Sequence, residues 1–316
     1  MRAMILAAGL GTRMRPLSDL CAKPALPVRG RPVISLLLSY LARHGVEEVM
    51  INLHHRPETV REAVERDCPE SLRIEWSEEA TPLGTGGGIR RAASFLRETE
   101  LCVVLAGDML LDLDLGGVVA RHRASGRDAT LVLREDERTS RFGSIGLDEK
   151  GRVARLGAPL PGREERAAGL FTGLRIFSRE ILAHWPSQLV FEDLRDWLVP
   201  AILERGAAVG GEILDPSGST WEPVGTPAEY LHVNLHPPGL PSLGGAADRW
   251  SGEVDLAGEQ QDVILGRGAA LGEGARLERA VVWEAERVPP GLEARSGVFA
   301  GGRFHACSDP AAGSPS

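Results

Sequence analysis

Close to its amino terminus the chain contains Met4-Ile5-Leu6-Ala7-Ala8-Gly9-Leu10-Gly11-Thr12-Arg13-Met14-Arg15-Pro16-Leu17, and Lys23-Pro24 follows shortly after. The apolar run has no polar alternation, which predicts a strand buried on both faces of a parallel sheet. The glycines then allow a sharp turn whose bare backbone N–H groups can approach an anion. Arg13 and Arg15 add planar cations suited to phosphate oxygens, and Lys23 adds a point charge. This stretch therefore predicts a polyphosphate site directly after the first strand.

Two better-known glycine loops do not match this stretch. The dinucleotide-binding fingerprint requires a third glycine at the start of its helix, and position 14 is Met. The Walker loop requires Gly-Lys-Ser or Gly-Lys-Thr, which does not occur here. The structural alternative is a tight turn that merely carries arginines. The ordered set of Arg13, Pro16, Leu17, Lys23 and Pro24 argues against that alternative.

The bulk composition limits the class of protein. The 316 residues are 43% hydrophobic, which suits a large core, and their formal net charge of −8 argues against nucleic acid or an anionic membrane surface as partner. The four cysteines are scattered, so neither a disulfide framework nor a zinc site is indicated. The first strand starts too close to Met1 for a signal peptide, and no apolar run reaches membrane-spanning length. We therefore expect a reduced, cytoplasmic protein.

Strand and helix patterns alternate along the first part of the chain. Apolar residues at helical spacing predict helices over 33–44, 57–66 and 89–96. Buried or alternating runs predict strands over 46–53, 72–76 and 101–106. This alternation predicts an open α/β sheet with right-handed crossovers. Ligands bind such sheets at the carboxyl ends of the strands, so we expect Gly9–Arg13, Gly84–Gly88 and Asp108 at one edge.

The glycine turn, its arginines and Lys23-Pro24 together resemble the signature of the sugar-1-phosphate nucleotidyltransferases. These enzymes join a nucleoside triphosphate to a sugar 1-phosphate and release pyrophosphate. The resemblance implies a Rossmann-like, mostly parallel sheet. It also implies that the triphosphate is bound by Ala8, Gly9, Gly11, Thr12 and Arg13. Lys23 would contact the reacting phosphates, and Asp108, a carboxylate directly after a buried strand, would hold Mg²⁺ between phosphate oxygens.

The glycine-rich segment Leu83–Gly88 resembles the part of this family in which the base and ribose lie against bare backbone. Gly84, Thr85 and Gly86 are therefore expected nucleotide-binding residues. The stretch Asn52-Leu53-His54-His55 is similar to N-acetylmuramic acid 1-phosphate uridylyltransferases, whereas Pro82-Leu83-Gly84-Thr85-Gly86 is closer to mannose- and heptose-1-phosphate guanylyltransferases. A carboxylate beside the base would favour guanine, and both Glu78 and Glu79 are near enough in sequence. UTP and GTP are both open at this point.

Two further segments resemble the sugar side of the family's site. Arg141-Phe142-Gly143 resembles the segment in which a glycine backbone, here Gly143, meets the sugar. Phe171–Phe177 resembles the strand beneath the sugar pocket, which makes Thr172 and Gly173 expected sugar-binding residues. The Glu-Lys-Pro that the family usually has between these segments is missing, so the sugar is not identified.

One motif departs from the family at a metal position. The family's Trp-x-Asp-Val-Gly-Thr-Pro carries its second metal ligand at the Asp, and this chain has Trp221-Glu222-Pro223-Val224-Gly225-Thr226-Pro227. The Pro223 side chain cannot coordinate a metal. Either Asp108 holds Mg²⁺ with phosphate and water, or Glu222 reaches the metal, or activity is reduced. The alternative function is therefore a catalytically impaired, nucleotide-sugar-binding regulatory protein on the same fold.

A different pattern begins near residue 262. Aliphatic residues recur six apart, at Leu265, Leu271 and Leu277, with glycines between them. This period is typical of a β-helix and resembles the hexapeptide left-handed β-helix at the carboxyl end of many nucleotidyltransferases. We predict a nucleotidyltransferase domain over 1–236, a linker over 237–251, a β-helix over 252–303 and a tail over 304–316. The β-helix could assemble the chain into a homo-oligomer.

Overall fold

The structure is a computed structural model, and it describes residues 1–252, 254–256 and 262–307. In the amino-terminal part the strands are β1 (Arg2–Leu6), β2 (Pro27–Val28), β3 (Arg31–Pro32), β4 (Glu48–Leu53), β5 (Arg73–Glu78), β6 (Leu101–Ala106), β7 (Met109–Asp112), β8 (Ala129–Arg134), β9 (Ile145–Leu147), β10 (Val153–Leu156), β11 (Ala158–Pro159), β12 (Ala167–Ser178), β13 (Val209–Leu214) and β14 (Thr220–Pro223). The α-helices are α1 (Val33–Arg43), α2 (Pro57–Arg66), α3 (Gly84–Leu96), α4 (Leu115–Ser125), α5 (Thr139–Phe142), α6 (Val199–Arg205), α7 (Pro227–Leu235) and α8 (Ala247–Trp250). Tighter single turns cover Thr12–Met14, Leu17–Asp19, Lys23–Ala25, Ile181–Ala183, Pro216–Gly218 and Pro241–Leu243, and a wider turn, Asp193–Leu198, leads into α6.

Four parallel strands form the centre of the main sheet, in the spatial order β5-β4-β1-β6. Strand β12 pairs antiparallel with β6 and extends the sheet towards β9 on one side and β8 on the other. Side chains of β1 alternate between two cores, since Ala3 and Ile5 belong to one apolar cluster and Met4 to the other. The first strand is thus buried on both faces, and the α/β, Rossmann-like class is confirmed.

Helix α3 starts earlier than the sequence pattern predicts. The apolar spacing predicts a helix from residue 89, whereas α3 already begins at Gly84 and includes the whole glycine-rich segment. Helix propensity disfavours glycine, so periodicity alone could not place this start. The glycines therefore form the first turns of a helix instead of a loop that precedes one.

The carboxy-terminal strands are β15 (Val254–Leu256), β16 (Val263–Gly266), β17 (Ala270–Leu271), β18 (Arg276–Val282), β19 (Arg287–Val288), β20 (Glu293–Ala300) and β21 (Arg303–Ala306). Strands β16, β18 and β20 pair in parallel, and Val263 faces Ala280, which faces Gly297, so each turn takes 17 residues. Leu277 is buried in their apolar cluster, and Leu265 and Leu271 pack against it. These strands are consistent with the predicted β-helix.

The regions that flank the β-helix differ in part from the predicted organisation. The predicted linker contains the helix α8, whose Trp250 is buried in the main core. Strand β21 pairs antiparallel with β20 across the point at which the tail is predicted to begin, while residues 308–316 lie outside the described residues. The start of the β-helix also falls partly on residues 253 and 257–261, which are not described. The domain boundaries stay a prediction.

The β-helix and the amino-terminal part share a core. Val281 and Val298 belong to the same apolar cluster as Tyr230 of α7. The indole Nε1 of Trp283 donates a hydrogen bond to the Tyr230 hydroxyl at 3.0 Å. None of the helices in the described part of the chain has the length and apolar character needed to cross a membrane.

Candidate active site

The turn after β1 is anchored in the core on one side and open on the other. Met14 and Leu17 are fully buried, and the backbone N–H of Met14 donates to the Gly11 carbonyl at 2.8 Å. The same carbonyl accepts a hydrogen bond from the Ser18 hydroxyl at 2.8 Å. Gly11 has a left-handed φ of 63°, which favours glycine. Apart from its two chain neighbours, no described residue would have an atom within 4 Å of a Cβ placed on Gly9, so the bare backbone there faces open space.

A cleft of about 660 Å³ lies beside this turn, at the carboxyl ends of the central strands, and its size is typical of a small-molecule site. Ten of the residues predicted for the site line it: Ala8, Gly9, Gly11, Thr12, Arg13, Lys23, Gly84, Thr85, Asp108 and Gly173. They come from five separate segments of the chain. The structure therefore brings the predicted triphosphate-binding and catalytic residues to a single cleft, together with Gly84 and Thr85 of the predicted nucleotide-binding segment.

Lys23 and Asp108 form an ion pair in the wall of the cleft, with the Lys23 Nζ 2.7 Å from the Asp108 Oδ2. The aliphatic stem of Lys23 packs beside Gly11, where a Cβ would lie 3.1 Å from the Lys23 Cγ. Gly107 donates its N–H to the Leu6 carbonyl at 3.0 Å, which places Asp108 next to the end of β1. The Lys23 side chain is 9% exposed and that of Asp108 is 40% exposed, so the carboxylate is the accessible member of the pair.

The two arginines of the turn have different surroundings. Arg13 is exposed and lines the cleft, and it makes no hydrogen bond or ion pair with the described residues. Arg15 forms an ion pair with Asp19 at 3.2 Å and lies outside the cleft lining. Of the two arginines, Arg13 is therefore the one placed to contact an anion in the cleft.

A buried carboxylate lies at the ends of β4 and β5. The sequence allowed either Glu78 or Glu79 to be the carboxylate beside the base, and the structure distinguishes the two. Glu79 is 5% exposed and lines the cleft. It accepts hydrogen bonds from the Asn52 amide at 2.7 Å and from the Leu83 N–H at 3.0 Å. Asn52 in turn accepts from the Ala7 N–H at 2.8 Å, so β1, β4 and the segment before α3 are tied together. Glu78, by contrast, is exposed and pairs with Arg61.

Residues 190–193, which we call the strap, run across the glycine-rich start of α3. The Gly86 N–H donates to the Phe191 carbonyl at 2.8 Å. A Cβ on Gly84 would overlap that carbonyl, and a Cβ on Gly86 would overlap the Val190 side chain. Phe191 and Asp193 also line the cleft. Sequence reasoning missed the strap because nothing in local spacing links it to residues about 100 positions earlier.

Four predicted site residues lie outside the cleft lining: Gly86, Gly143, Thr172 and Glu222. Gly86 is buried beneath the strap, and Gly143 is exposed at the end of α5. The Thr172 hydroxyl donates to the Val132 carbonyl at 2.9 Å. The Glu222 carboxylate accepts from the Arg138 Nη1 at 2.8 Å and lines a second, smaller cavity. Arg138 also donates to Asp136, and this hydrogen bond lowers the pKa of the Asp136 carboxyl.

A parallel α/β sheet with an open glycine turn, cations and a carboxylate at its carboxyl edge defines a nucleotide-binding class of protein. The model of the nucleotidyl transferase family matches residues 2–237, about three quarters of the chain. The chain therefore belongs to the family of sugar-1-phosphate nucleotidyltransferases.

Individual relatives agree with this membership. The chain is 31% identical over 299 residues to mannose-1-phosphate guanylyltransferase of Mycobacterium tuberculosis, covering 92% of this chain and 81% of that protein. It is 27% identical over 333 residues to UTP–glucose-1-phosphate uridylyltransferase of Synechocystis, covering 92% of this chain and 85% of that protein. The crystal structure of HddC from Yersinia pseudotuberculosis complexed with GMP-PN superposes with a TM-score of 0.61 at 25% identity, covering 74% of this chain and 97% of HddC.

Proposed function

We propose that this protein transfers a nucleotidyl group from a nucleoside triphosphate to a sugar 1-phosphate, which gives a nucleoside diphosphate sugar and pyrophosphate. One observation carries the proposal. A single cleft contains the open glycine turn, Arg13 without a partner among the described residues, and the Lys23–Asp108 pair. The guanylyltransferase and uridylyltransferase relatives support the same reaction type.

In the proposed reaction an oxygen of the sugar phosphate forms a bond to the α-phosphorus of the triphosphate. The bond from that phosphorus to the oxygen that bridges to the β-phosphate breaks, and pyrophosphate leaves with the electron pair. Arg13 would neutralise charge on the departing pyrophosphate, and Lys23 would contact the reacting phosphates. The protein contributes positioning and charge neutralisation, and no covalent intermediate with the enzyme is required.

Asp108 is the residue that would hold Mg²⁺. This ion commonly binds one or two carboxylates and completes its shell with phosphate oxygens and water, and the accessible carboxylate of Asp108 in the cleft wall fits that pattern. The described residues contain no cluster of three or more metal-binding side chains. Glu222 is bound to Arg138, so we propose that Asp108, phosphate and water suffice. When bound, the ion neutralises charge on the phosphate oxygens.

Among nucleoside triphosphates we propose GTP as the preferred substrate, because of Glu79. A carboxylate has about four acceptor positions, and two are used by Asn52 and Leu83. The others can accept from the N1–H and the exocyclic amine of guanine. Uracil offers a single N–H donor flanked by carbonyl oxygens, which a carboxylate would repel. Glu79 therefore favours guanine over uracil.

Pyrophosphate release with five nucleoside triphosphates and a panel of sugar 1-phosphates tests the reaction. We expect Arg13→Ala and Asp108→Ala each to lower kcat/KM by about 10²–10³-fold, because the first removes the cation that would neutralise the departing pyrophosphate and the second removes the carboxylate that would hold Mg²⁺. Arg15→Ala is the matched control, since Arg15 lies outside the cleft lining, and its rate should stay within about threefold of the wild type.

Two outcomes would contradict this proposal. Wild-type rates in both Arg13→Ala and Asp108→Ala would show that the cleft is not the site of the reaction. Binding of a nucleotide sugar by calorimetry, without turnover at any Mg²⁺ or Mn²⁺ concentration, would instead favour the nucleotide-sugar-binding protein. If Pro223→Asp then restored turnover, the missing carboxylate would be the cause.

Nucleotide choice has its own test in Glu79→Gln. This change replaces one acceptor oxygen with an N–H donor, so we expect the ratio of kcat/KM for GTP to that for UTP to fall by about 10–100-fold. The control is Glu78→Gln, because Glu78 is exposed and should leave the ratio unchanged. A wild-type preference for UTP, or an unchanged ratio in Glu79→Gln, would refute the guanine assignment while leaving the reaction itself in place.

A further inference from the structure

An arginine is buried in the wall of the cleft, on the strand predicted to underlie the sugar. Arg175 is 3% exposed and lines the cleft together with Phe171 and Gly173. Strand β12 is irregular here, since its register against β8 shifts between Phe171 and Arg175 and Gly173 has a φ of 84°, and all three residues face the cleft. A buried charge is costly unless it is paired and hydrogen-bonded, so the position of Arg175 requires an explanation.

The guanidinium of Arg175 contacts both sides of the cleft. Its Nη1 donates to the Gly173 carbonyl at 2.8 Å, and its planar group lies 5.3 Å from the centre of the Phe171 ring. Its Nε lies 2.7 Å from the Oδ2 of Asp193, in the strap. The planar guanidinium makes these three contacts from separate atoms, whereas a lysine ammonium offers a single point charge.

Asp193 continues this connection to the nucleotide side. The Thr85 hydroxyl donates to the Asp193 Oδ1 at 2.6 Å, and the Asp193 N–H donates back to the Thr85 hydroxyl at 3.1 Å. Thr85 lies in the first turn of α3, where the base and ribose are expected. A continuous path therefore runs from Gly173, through Arg175 and Asp193, to Thr85.

Stability alone is a weak explanation for this ion pair. Buried ion pairs can often be replaced by apolar residues at no cost in stability, because desolvation offsets their attraction. Here the Arg175 Nε–H does not point at the Asp193 Oδ2, so the contact lacks the aligned hydrogen bond that would compensate best. What the pair does provide is a fixed distance between two walls of one cleft.

We propose that Arg175 is a positioning residue that fixes the strap relative to β12. Because the strap is hydrogen-bonded to the start of α3, Arg175 also fixes the expected nucleotide side of the cleft relative to the expected sugar side. This inference rests on the proposed function. The role of Arg175 is to hold the two bound substrates so that the sugar-phosphate oxygen faces the α-phosphorus, because small displacements from that geometry reduce the rate strongly. Arg175 thus affects turnover more than the affinity for either substrate taken alone.

Two variants and one control test this role. Arg175→Lys keeps the charge but loses the fork, and the double variant Arg175→Met with Asp193→Asn removes both buried charges while Asn can still accept from Thr85. The control is Arg90→Lys. Arg90 is an exposed arginine that also connects α3 to the segment before the strap, through the Pro186 and Gln188 carbonyls at 3.3 and 3.4 Å.

The readout is kcat per nucleotide-binding site, with sites counted by calorimetric titration so that unfolded protein does not contribute. We expect kcat to fall about 10–100-fold in both Arg175 variants, with nucleotide affinity within about threefold of the wild type, and no change in Arg90→Lys. A kcat within threefold of the wild type would overturn the proposal. A loss of nucleotide affinity that accounts for the whole loss of rate would also overturn it, because Arg175 would then act in binding.

A second measurement needs no turnover. The Gly86 and Asp193 amides are hydrogen-bonded between α3 and the strap, so their hydrogen exchange should accelerate at least about tenfold in the double variant and stay unchanged in Arg90→Lys. Unchanged exchange in the double variant would show that Arg175 does not hold the strap. If the wild type turned over no substrate, the proposed function would fail, and the exchange of these amides would still decide the role of Arg175.

Discussion

The turn at residues 9–11 and the start of α3 at residues 84–87 are both rich in glycine, and both line the same cleft. A Cβ on Gly9 would point into open space, whereas Cβ atoms on Gly84 and Gly86 would overlap the strap. The first segment keeps its backbone free for a ligand, and the second uses its glycines to let another part of the same chain approach. Glycine permits close approach in both cases, but the sequence does not say which group approaches.

The difference follows from how each segment is held. The turn after β1 is fixed by Met14 and Leu17, which insert into the core below it, so its upper side needs no protein contact. The start of α3, Gly84–Gly88, has no large side chain that could insert into the core in this way. Instead, Thr85 and Gly86 are hydrogen-bonded to Asp193 and Phe191 of the strap. The ligand side of α3 is therefore defined by the strap as much as by the helix.

The largest effect is expected for Gly84→Ala. Gly84 has a φ of 74°, and a Cβ there would overlap the Phe191 carbonyl, which as backbone cannot rotate away. We expect the free energy of unfolding to fall by about 3 kcal/mol and the melting temperature by about 5–10 °C in thermal denaturation. A variant as stable as the wild type would show that the strap does not press on α3, and the comparison between the two segments would fail.

A smaller effect is expected for Gly9→Ala, which places the same methyl group on the open turn. The φ of Gly9 is not left-handed, and among the described residues none beyond its chain neighbours lies within 4 Å of the added methyl group, so stability should change by no more than about 0.5 kcal/mol. The methyl group would instead hinder the approach of the triphosphate, and we expect its KM to rise about tenfold, which corresponds to about 1.4 kcal/mol. An unchanged KM together with a large loss of stability would reverse the roles assigned to the two segments.

The parts of the fold and site that depend on local pattern were predictable from the sequence. The first strand is apolar without alternation because both its faces are covered, and Asp108 directly follows a strand of the same kind. Parallel strands end at one edge, so the expectation that Gly9, Arg13 and Asp108 meet needed no knowledge of tertiary contacts. The six-residue spacing of the carboxy-terminal leucines is also a local pattern, and it was sufficient to predict a β-helix.

The parts that depend on pairing between distant segments were not predictable. Thr85 and Asp193 are 108 positions apart, and no local pattern joins them. The one available signal was Arg175 itself, a charged residue inside the apolar run from Leu170 to Phe177. The choice between Glu78 and Glu79 also needed the structure, since adjacent strand-end residues face opposite sides. The orientation of Glu222 depends on Arg138, whose position 84 residues earlier gives no hint of the contact.

The hydroxyl of Tyr230 makes hydrogen bonds to two regions that the sequence predicts to be separate domains. It donates to the Pro27 carbonyl at 2.7 Å, four residues after Lys23, and accepts from the Trp283 indole of the β-helix. A chimera that exchanges the β-helix for that of a relative must therefore supply a donor at the place of Trp283. Without one, the exchange would change the contacts of the loop that carries Lys23, and the two halves of the protein could not be recombined freely.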